Sequence, residues 1–385
     1  MELLEKGERK VEYLELIYDL IFVYMVGRNN ALLSTIENGF VPMRHFAAYV
    51  LCTLAIIQVW NFSTFYINMF GRNGVRDHVF LCTNMYLLYF VGESTRVDWL
   101  LYQTQYHVAW GLILVNIGVQ YLIELRNHRA DAWNLAFIRR LALGVFVEAA
   151  VVFAVAVCPP GLVAWLSGAA ILCGILLTFW TRSSGAGIQI DFMHLSERAM
   201  LYVVFTFGEM VIAVSEYFIG NGSWSWSLIY FSLMGFLIVV GLFLSYGYVY
   251  DRMIDREGQY RGMSYMMLHI FILFFLNIIT VSLEFMREPE VDNLPKVALL
   301  VAAFAGYFVF LFALRGHMKE DATVSAAFLA KAGGLSAVFI ALMFLLREQM
   351  VWNILISAAY VFAMFLLLPR SAARLRSAKD GADRA

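Results

Sequence analysis

DFMHLSERAMLYVVFTFGEMVIAVSEY, residues Asp191–Tyr217, has the length and apolar content of a membrane-spanning helix, yet it carries Glu197, Arg198, Glu209 and Glu216. An ionisable group at bilayer depth costs at least ~2.5 kcal/mol on insertion scales, so such groups tend to be paired or functional. One other segment has the same character. EYLELIYDLIFVYMVGRNN, residues 12–30, contains Glu15, Asp19 and Arg28. The two segments align: FVYMVGRNNALLS (22–34) falls on VVFTFGEMVIAVS (203–215), with Gly27 on Gly208 and Arg28 on Glu209. This pairing suggests a duplicated chain whose halves each open on a charged span.

Composition sets the class. Hydrophobic residues make up 61% and charged residues 15%, with a mean hydropathy of +0.71. A soluble domain is closer to one quarter charged. The chain therefore reads as a polytopic membrane protein with the lipid bilayer as its principal partner. A net charge of -1, with basic residues scattered over helix ends, gives no nucleic-acid surface. Cys52, Cys82, Cys158 and Cys173 sit in or beside apolar stretches without CxxC or His/Cys ligand spacing. Neither a disulfide framework nor a metal site is expected. No cofactor is expected either, because GxGxxG, P-loop and HExxH patterns are absent. The first apolar stretch, holding Glu15 and Asp19, reads as a span rather than a cleaved leader.

A span takes about 20 mainly apolar residues. That rule gives about twelve: 12–34, 43–70, 76–95, 99–124, 134–157, 161–181, 192–216, 224–250, 260–284, 293–314, 324–346 and 351–369. With the N-terminus cytoplasmic, 22 Lys and Arg fall on the inner side. Five fall outside (Arg44, Arg96, Arg287, Lys296 and Arg347), and Arg28 lies within the membrane. This bias predicts both termini in the cytoplasm of a bacterial inner-membrane protein.

The duplication extends beyond the opening spans. FVGESTR (90–96) corresponds to VSLEFMR (281–287), placing Glu93 on Glu284, and IELRNH (123–128) corresponds to FALRGH (312–317). Six spans per half is an even number, so the repeat is expected to be parallel, about an axis along the membrane normal. The fold expectation is an all-α bundle of two parallel six-helix repeats, residues 1–189 and 190–385. The second ends in a short basic cytoplasmic tail from Ser371, expected to fray.

Several ionisable residues stand out as candidates for binding or transport. Glu15 and Asp19 share a helix face at i, i+4 and suit a cation or proton site. Pairing with Arg9, Lys10 or another inner-end arginine is the structural alternative. Arg28 needs a counter-ion, and its repeat equivalent Glu209 is the expected partner across the axis. Glu148, in LALGVFVEAAVVFAV, pairs with Arg139 or Arg140, or with no cation, in which case burial would keep it protonated. His269 suits a hydrogen-bonded structural role better than a proton relay. His194 is expected at the interface. Glu93 and Glu284 sit beside Arg96 and Arg287 at outer helix ends. The aromatic runs Trp60–Phe70 and Tyr246–Tyr250 read as interfacial belts.

Three sets of residues resemble the bacterial low temperature requirement A family. Leu14–Val23 (LELIYDLIFV) is similar to its opening E-L-F-F-D-L-V-F-V pattern. His194-Leu195-Ser196-Glu197-Arg198, with Gly208-Glu209-Met210-Val211-Ile212-Ala213, is similar to its H-L-x-E-R and G-E-x-V-x-A elements. Tyr246–Arg252 and Leu268-His269 with Leu283-Glu284 resemble its aromatic-D-R and L-H … L-E elements. Arg28 departs from the uncharged polar residue, often Gln, expected there. The resemblance implies a multi-pass bacterial membrane protein tied to growth in the cold, and it assigns no molecular activity.

Three function classes remain open at the level of sequence. A transporter or channel for an ion or small polar solute is favoured by the charged opening spans. An enzyme acting on lipid or envelope precursors would use His269, Glu209 or Glu197 as acid–base groups, but no nucleophile, metal set or diphosphate-binding motif accompanies them. A non-catalytic stress or scaffold protein would use the charges for packing alone. The sequence does not give an oligomeric state.

Overall fold

The computed structural model describes residues 11–95, 99–127, 132–181, 190–215, 225–258 and 262–382. Arg9, Lys10, Arg96, Glu216 and the expected boundary at residue 189 lie outside them. Twelve α-helices, with no strand among the described residues, make up the fold: α1 (Tyr13–Arg28), α2 (Met43–Phe70), α3 (Val75–Ser94), α4 (Trp99–Asn127), α5 (Ala132–Ala156), α6 (Pro160–Thr181), α7 (Phe192–Ser215), α8 (Trp226–Tyr248), α9 (Met263–Phe285), α10 (Asn293–Ala313), α11 (Ala326–Leu345) and α12 (Met350–Ala382). The expected all-helical, twelve-helix bundle is thus observed.

Among the described residues, nine helices are long and apolar enough to cross a membrane. The exceptions are α1, α3 and α5, and their sequences explain why. At 16 residues, α1 extends only about 24 Å against a hydrocarbon core of about 30 Å. Arg76, Asp77, His78 and Asn84 dilute α3, while Arg139, Arg140 and Glu148 interrupt α5. The tail from Ser371 prolongs α12 to Ala382, in keeping with its Ala- and Arg-rich composition and the high helix propensity of those residues.

The helices form two compact units. One comprises Met1–Glu37, Val41–Tyr202 and Gln259–Ile270; the other comprises Asn38–Phe40, Val203–Gly258 and Phe271–Ala385. Within the first unit, α2 is the central element. Every residue from Ala55 to Asn68 is buried, including Gln58, Asn61, Ser63, Thr64 and Asn68. A helix apolar all round is normally a core or lipid-embedded element. Polar residues on a helix this buried must instead find partners on its neighbours. The start of α9 belongs to this unit through a tight turn at Gly262, whose φ of +66° suits glycine and whose absent Cβ leaves room for Leu195 of α7.

In the second unit, the Tyr307 hydroxyl donates to the Leu242 carbonyl at 2.9 Å. Tyr360 stacks on Phe339 with ring centroids 4.1 Å apart. Tyr246 and Tyr250, expected as interfacial aromatics, are buried and stacked on one another.

Candidate functional site

Asp191 caps α7. Its Oδ1 accepts the backbone N–H of His194 at 3.0 Å, the usual N-cap bond to the third helical residue. This cap fixes His194 on the first turn, with Arg198 one turn further along the same face. Asn68 of α2 reads the same turn. Its Oδ1 accepts the Asp191 N–H at 3.1 Å, and its Nδ2 donates to the Asp191 carbonyl at 2.8 Å. Nδ2 also lies 3.1 Å from His194 Nδ1. The backbone contacts set the amide orientation, so His194 Nδ1 is the acceptor and the ring proton sits on Nε2.

Nε2 faces Glu15 of α1, with Glu15 Oε2 at 3.2 Å. The same oxygen lies 3.4 Å from Arg198 Nε. One turn along α1, Asp19 receives Arg198 through both Nε, at 3.3 Å, and Nη2. Trp60 Nε1 donates to Asp19 Oδ1 at 2.7 Å. Asp19, His194, Arg198 and Trp60 are fully buried, and Glu15 is 4% exposed. Three helices thus enclose an ion cluster. Its cost in a low-dielectric interior is offset by the mutual Coulomb attraction and by the hydrogen bonds around it.

The cluster leaves hydrogen-bonding capacity unused. Arg198 Nη1, both polar atoms of Asn61 and the Thr64 hydroxyl are buried without a hydrogen-bond partner among the described residues. Their location follows from helix register. Asn68 meets Asp191 and His194, while the Trp60 ring meets Tyr202 at 4.5 Å. As α2 is followed backward from Asn68 to Trp60, α7 advances from His194 to Tyr202, so these stretches run antiparallel. Asn61 and Thr64, on the same side of α2 as Asn68, fall between those two contacts at the level of Arg198. Buried polar groups are nearly always satisfied, so a group of this kind calls for water, an ion or a solute.

A chain of side chains leads away from Tyr18, the residue before Asp19. The Tyr18 hydroxyl donates to Ser63 Oγ at 2.7 Å, Asn84 Nδ2 donates to Tyr18 at 3.1 Å, and Asn116 Nδ2 donates to Asn84 Oδ1 at 2.7 Å. It joins α1, α2, α3 and α4 through the interior. A second charged group, at the start of α3, joins Arg76 Nη1 to Glu124 Oε1 at 2.6 Å. Arg76 Nε also lies 3.3 Å from Asp77 Oδ1.

Of the eight sequence candidates, Glu15 and Asp19 come together here. Arg28 does not join them. Its Nη2 lies 3.4 Å from Glu93 Oε1, at the neighbouring end of α3, with both side chains more than a third exposed. Glu93 therefore supplies a counter-charge to Arg28 within the first unit. Glu148 lies fully buried on α5, and neither carboxyl oxygen has a hydrogen-bond partner among the described residues, so neither Arg139 nor Arg140 serves it. Glu197 is half-buried on α7, one residue from Arg198. His269 is buried, with Nδ1 2.8 Å from the Tyr265 carbonyl one turn earlier. Glu209 and Glu284 are half-buried and belong to the second unit.

His194 and Trp60 were expected at an interface and are instead interior members of the cluster. The apolar surroundings of Trp60 gave no sign of its bond to Asp19. Asn61 and Thr64 were missed, although their spacing from Asn68 along α2 was a readable signal. A recess of about 120 Å³ lies at the starts of α2, α4 and α6, walled by Trp99, Tyr106, Trp110 and aliphatic side chains together with the polar Arg44, Gln103, His107 and Ser167. None of the eight candidates lines it.

A family model described as bacterial low temperature requirement A protein (LtrA) matches residues 10–372, nearly the whole chain. No curated protein and no solved structure matches the chain.

Proposed function

The chain belongs to the bacterial low temperature requirement A family, and from that premise we propose that it is a transporter or channel for an ion or small polar solute. The observation that carries this reading is the unused hydrogen-bonding capacity beside the buried charges. Arg198 Nη1, the Asn61 amide and the Thr64 hydroxyl offer donors and an acceptor next to Asp19 and Glu15. In an integral membrane protein, polar groups held at such cost are retained where a hydrophilic species passes or binds. In this reading Asn61, Thr64 and Arg198 contact the solute, and Glu15 and Asp19 set the local charge. The reading further places the protein in the bacterial cytoplasmic membrane with both termini cytoplasmic, its twelve helices arranged as two parallel six-helix repeats.

The test is flux into proteoliposomes, screened over monovalent cations, anions, amino acids and imposed pH gradients. Asn61→Ala and Thr64→Val should each lower flux of the active species by roughly five- to tenfold while the protein stays monodisperse, since each removes a contact worth about 1–1.5 kcal/mol. In parallel, Asn61→Cys and Thr64→Cys, in a background lacking the four native cysteines, should react with small hydrophilic thiol reagents. Absence of flux for every species, together with full protection of both cysteines, would defeat the proposal and leave the charges as packing devices.

A further inference from the structure

Glu148 lies on α5 one turn after Gly144, and the pair faces α6. A Cβ on Gly144 would meet Leu177, and a Cβ on Gly174, one turn earlier on α6, would sit 2.4 Å from Glu148 Oε2. The same point is 2.2 Å from Gln58 Nε2 of α2. The bare Gly174 backbone is therefore what lets the Glu148 carboxyl and the Gln58 amide approach each other between three helices. Gln58 Nε2 donates to the Ile171 carbonyl at 2.9 Å, which fixes the amide orientation. Its Oε1 is buried without a partner among the described residues, as are both Glu148 oxygens. Glu148 is 0% exposed and Gln58 2%.

We propose that Glu148 and Gln58 form a proton-binding site, in which Glu148 holds an exchangeable proton at neutral pH and Gln58 is its polar neighbour. Three arguments lead there. First, an ionised carboxylate in an apolar interior with no cation or donor costs several kcal/mol, and such a group takes up a proton instead. Second, among the described residues the surroundings offer no charge to oppose this. The Cys173 thiol on α6 is the titratable neighbour, α2 contributes the neutral Gln58, and on the α4 side α5 packs Phe146 and Phe153 into the spaces at Gly118 and Gly111. Third, the site is too poor in oxygen for a metal cation. Hard cations take six or more oxygen ligands, whereas here one carboxyl and one amide oxygen are unsatisfied.

The site is separate from the Glu15–Asp19–Arg198 cluster but shares α2 with it. Gln58 is one helical turn from Asn61, so an unsatisfied polar stripe runs along α2 from one site toward the other. The inference does not rest on transport, because the proton is bound whether or not a solute moves.

Infrared spectroscopy of the full chain in lipid, compared with Glu148→Gln, tests it. This substitution conserves shape and replaces the acid with a neutral amide, so the fold should persist. The expected result at neutral pH is one carboxylic-acid C=O band that is lost completely in Glu148→Gln, shifts on transfer to D₂O and is unchanged when sodium chloride replaces choline chloride at fixed pH. Gln58→Leu should move the band to higher frequency, because it removes the polar neighbour. A Glu148 signal present only as carboxylate overturns the proposal. So does an acid band that disappears on adding sodium, which would make the site a metal site, or one that never exchanges with D₂O. A flux screen that found no solute would leave every one of these outcomes readable.

Discussion

Breaking the Asp19–Arg198 pair should strand a charge in the interior of the first unit. Asp19→Asn removes the charge but keeps an oxygen for the Trp60 indole, which now donates to Asp19 Oδ1 at 2.7 Å. Arg198 is fully buried and would keep one ionic contact, to Glu15 at 3.4 Å through Nε. Stranding a buried charge typically costs about 3–5 kcal/mol. The surviving Glu15 contact argues for the lower end, about 3 kcal/mol, or roughly a hundredfold in the folded-to-unfolded ratio. Arg198→Gln should cost a similar amount, because it leaves two carboxylates in one small interior without the guanidinium that bridges them. The double change removes both opposed charges, so its cost should fall short of the sum of the single costs by about 2 kcal/mol, within the range seen for contacting residues. Denaturant titration in mixed micelles, run on the wild type and all three variants, reads the cycle. Single costs that add to within about 0.5 kcal/mol would show that the residues do not interact, and the ion cluster as described here would be wrong.

Two further outcomes follow from the same contacts. Arg28→Gln and Glu93→Gln should each cost less than about 1 kcal/mol, because both partners are more than a third exposed and screened; the same micelle titration checks this, and a cost near that of Asp19→Asn would refute it. In the loop before α12, Asn293 Nδ2 donates to Glu348 Oε2 at 2.8 Å and Arg347 Nε donates to Oε1 at 3.2 Å; these bonds, the Asn293 one foremost, hold the Glu348 carboxyl below the usual glutamate range. A depressed folded value means that the contribution to stability is present above the ordinary glutamate range and is lost as pH falls through the folded value. A carbon-13 carboxyl titration should show the Glu348 midpoint rising in Asn293→Ala, and an unmoved midpoint would remove Asn293 as the cause.

The extent to which sequence revealed the fold follows from solvent physics. In a bilayer every backbone polar group must be satisfied within its own helix. Mainly apolar runs of about 20 residues therefore marked all twelve helices, although α1, α3 and α5 fall short of a span by length or charge. Several were placed within a few residues of the observed bounds, as for α2 (Met43–Phe70). The charged segments at Glu15–Asp19 and His194–Arg198 were legible for the same reason, because a charge in an apolar run needs a partner. Which partner it finds is a matter of helix packing, which periodicity does not encode. Arg28 illustrates this, since the pattern aligned it with Glu209 while the neighbouring end of α3 brings Glu93 within 3.4 Å of it. Glu148 was left with two candidate arginines and the alternative of none. It was resolved only by the facing Gly174, a residue with no side chain for a pattern to detect.

The aromatic stretch of α2 carries the broader consequence. Trp60–Phe70 reads as an interfacial belt if each ring is judged by type, because Trp and Tyr favour the headgroup level. Judged by spacing, the same stretch says something different. Gln58, Asn61, Thr64 and Asn68 recur at intervals of three and four residues, so they form one stripe along a helix. An interfacial belt occupies one level of the bilayer, whereas a stripe about ten residues long covers about 15 Å of depth at 1.5 Å per residue. Only a helix whose polar side faces protein, and not lipid, can tolerate that. In the structure the stripe is anchored at its ends, through Asn68 at Asp191 and Gln58 Nε2 at Ile171; Gln58 Oε1 is left without a partner, and the polar atoms of Asn61 and Thr64 have none at all, among the described residues. Asn61 and Thr64 lie on the segment of α2 that passes Arg198. The chemistry of this unit is thereby concentrated where α2 crosses α7 and where α1 supplies the acids, and the substitutions most informative about function are those along α2 rather than at the more conspicuous charges.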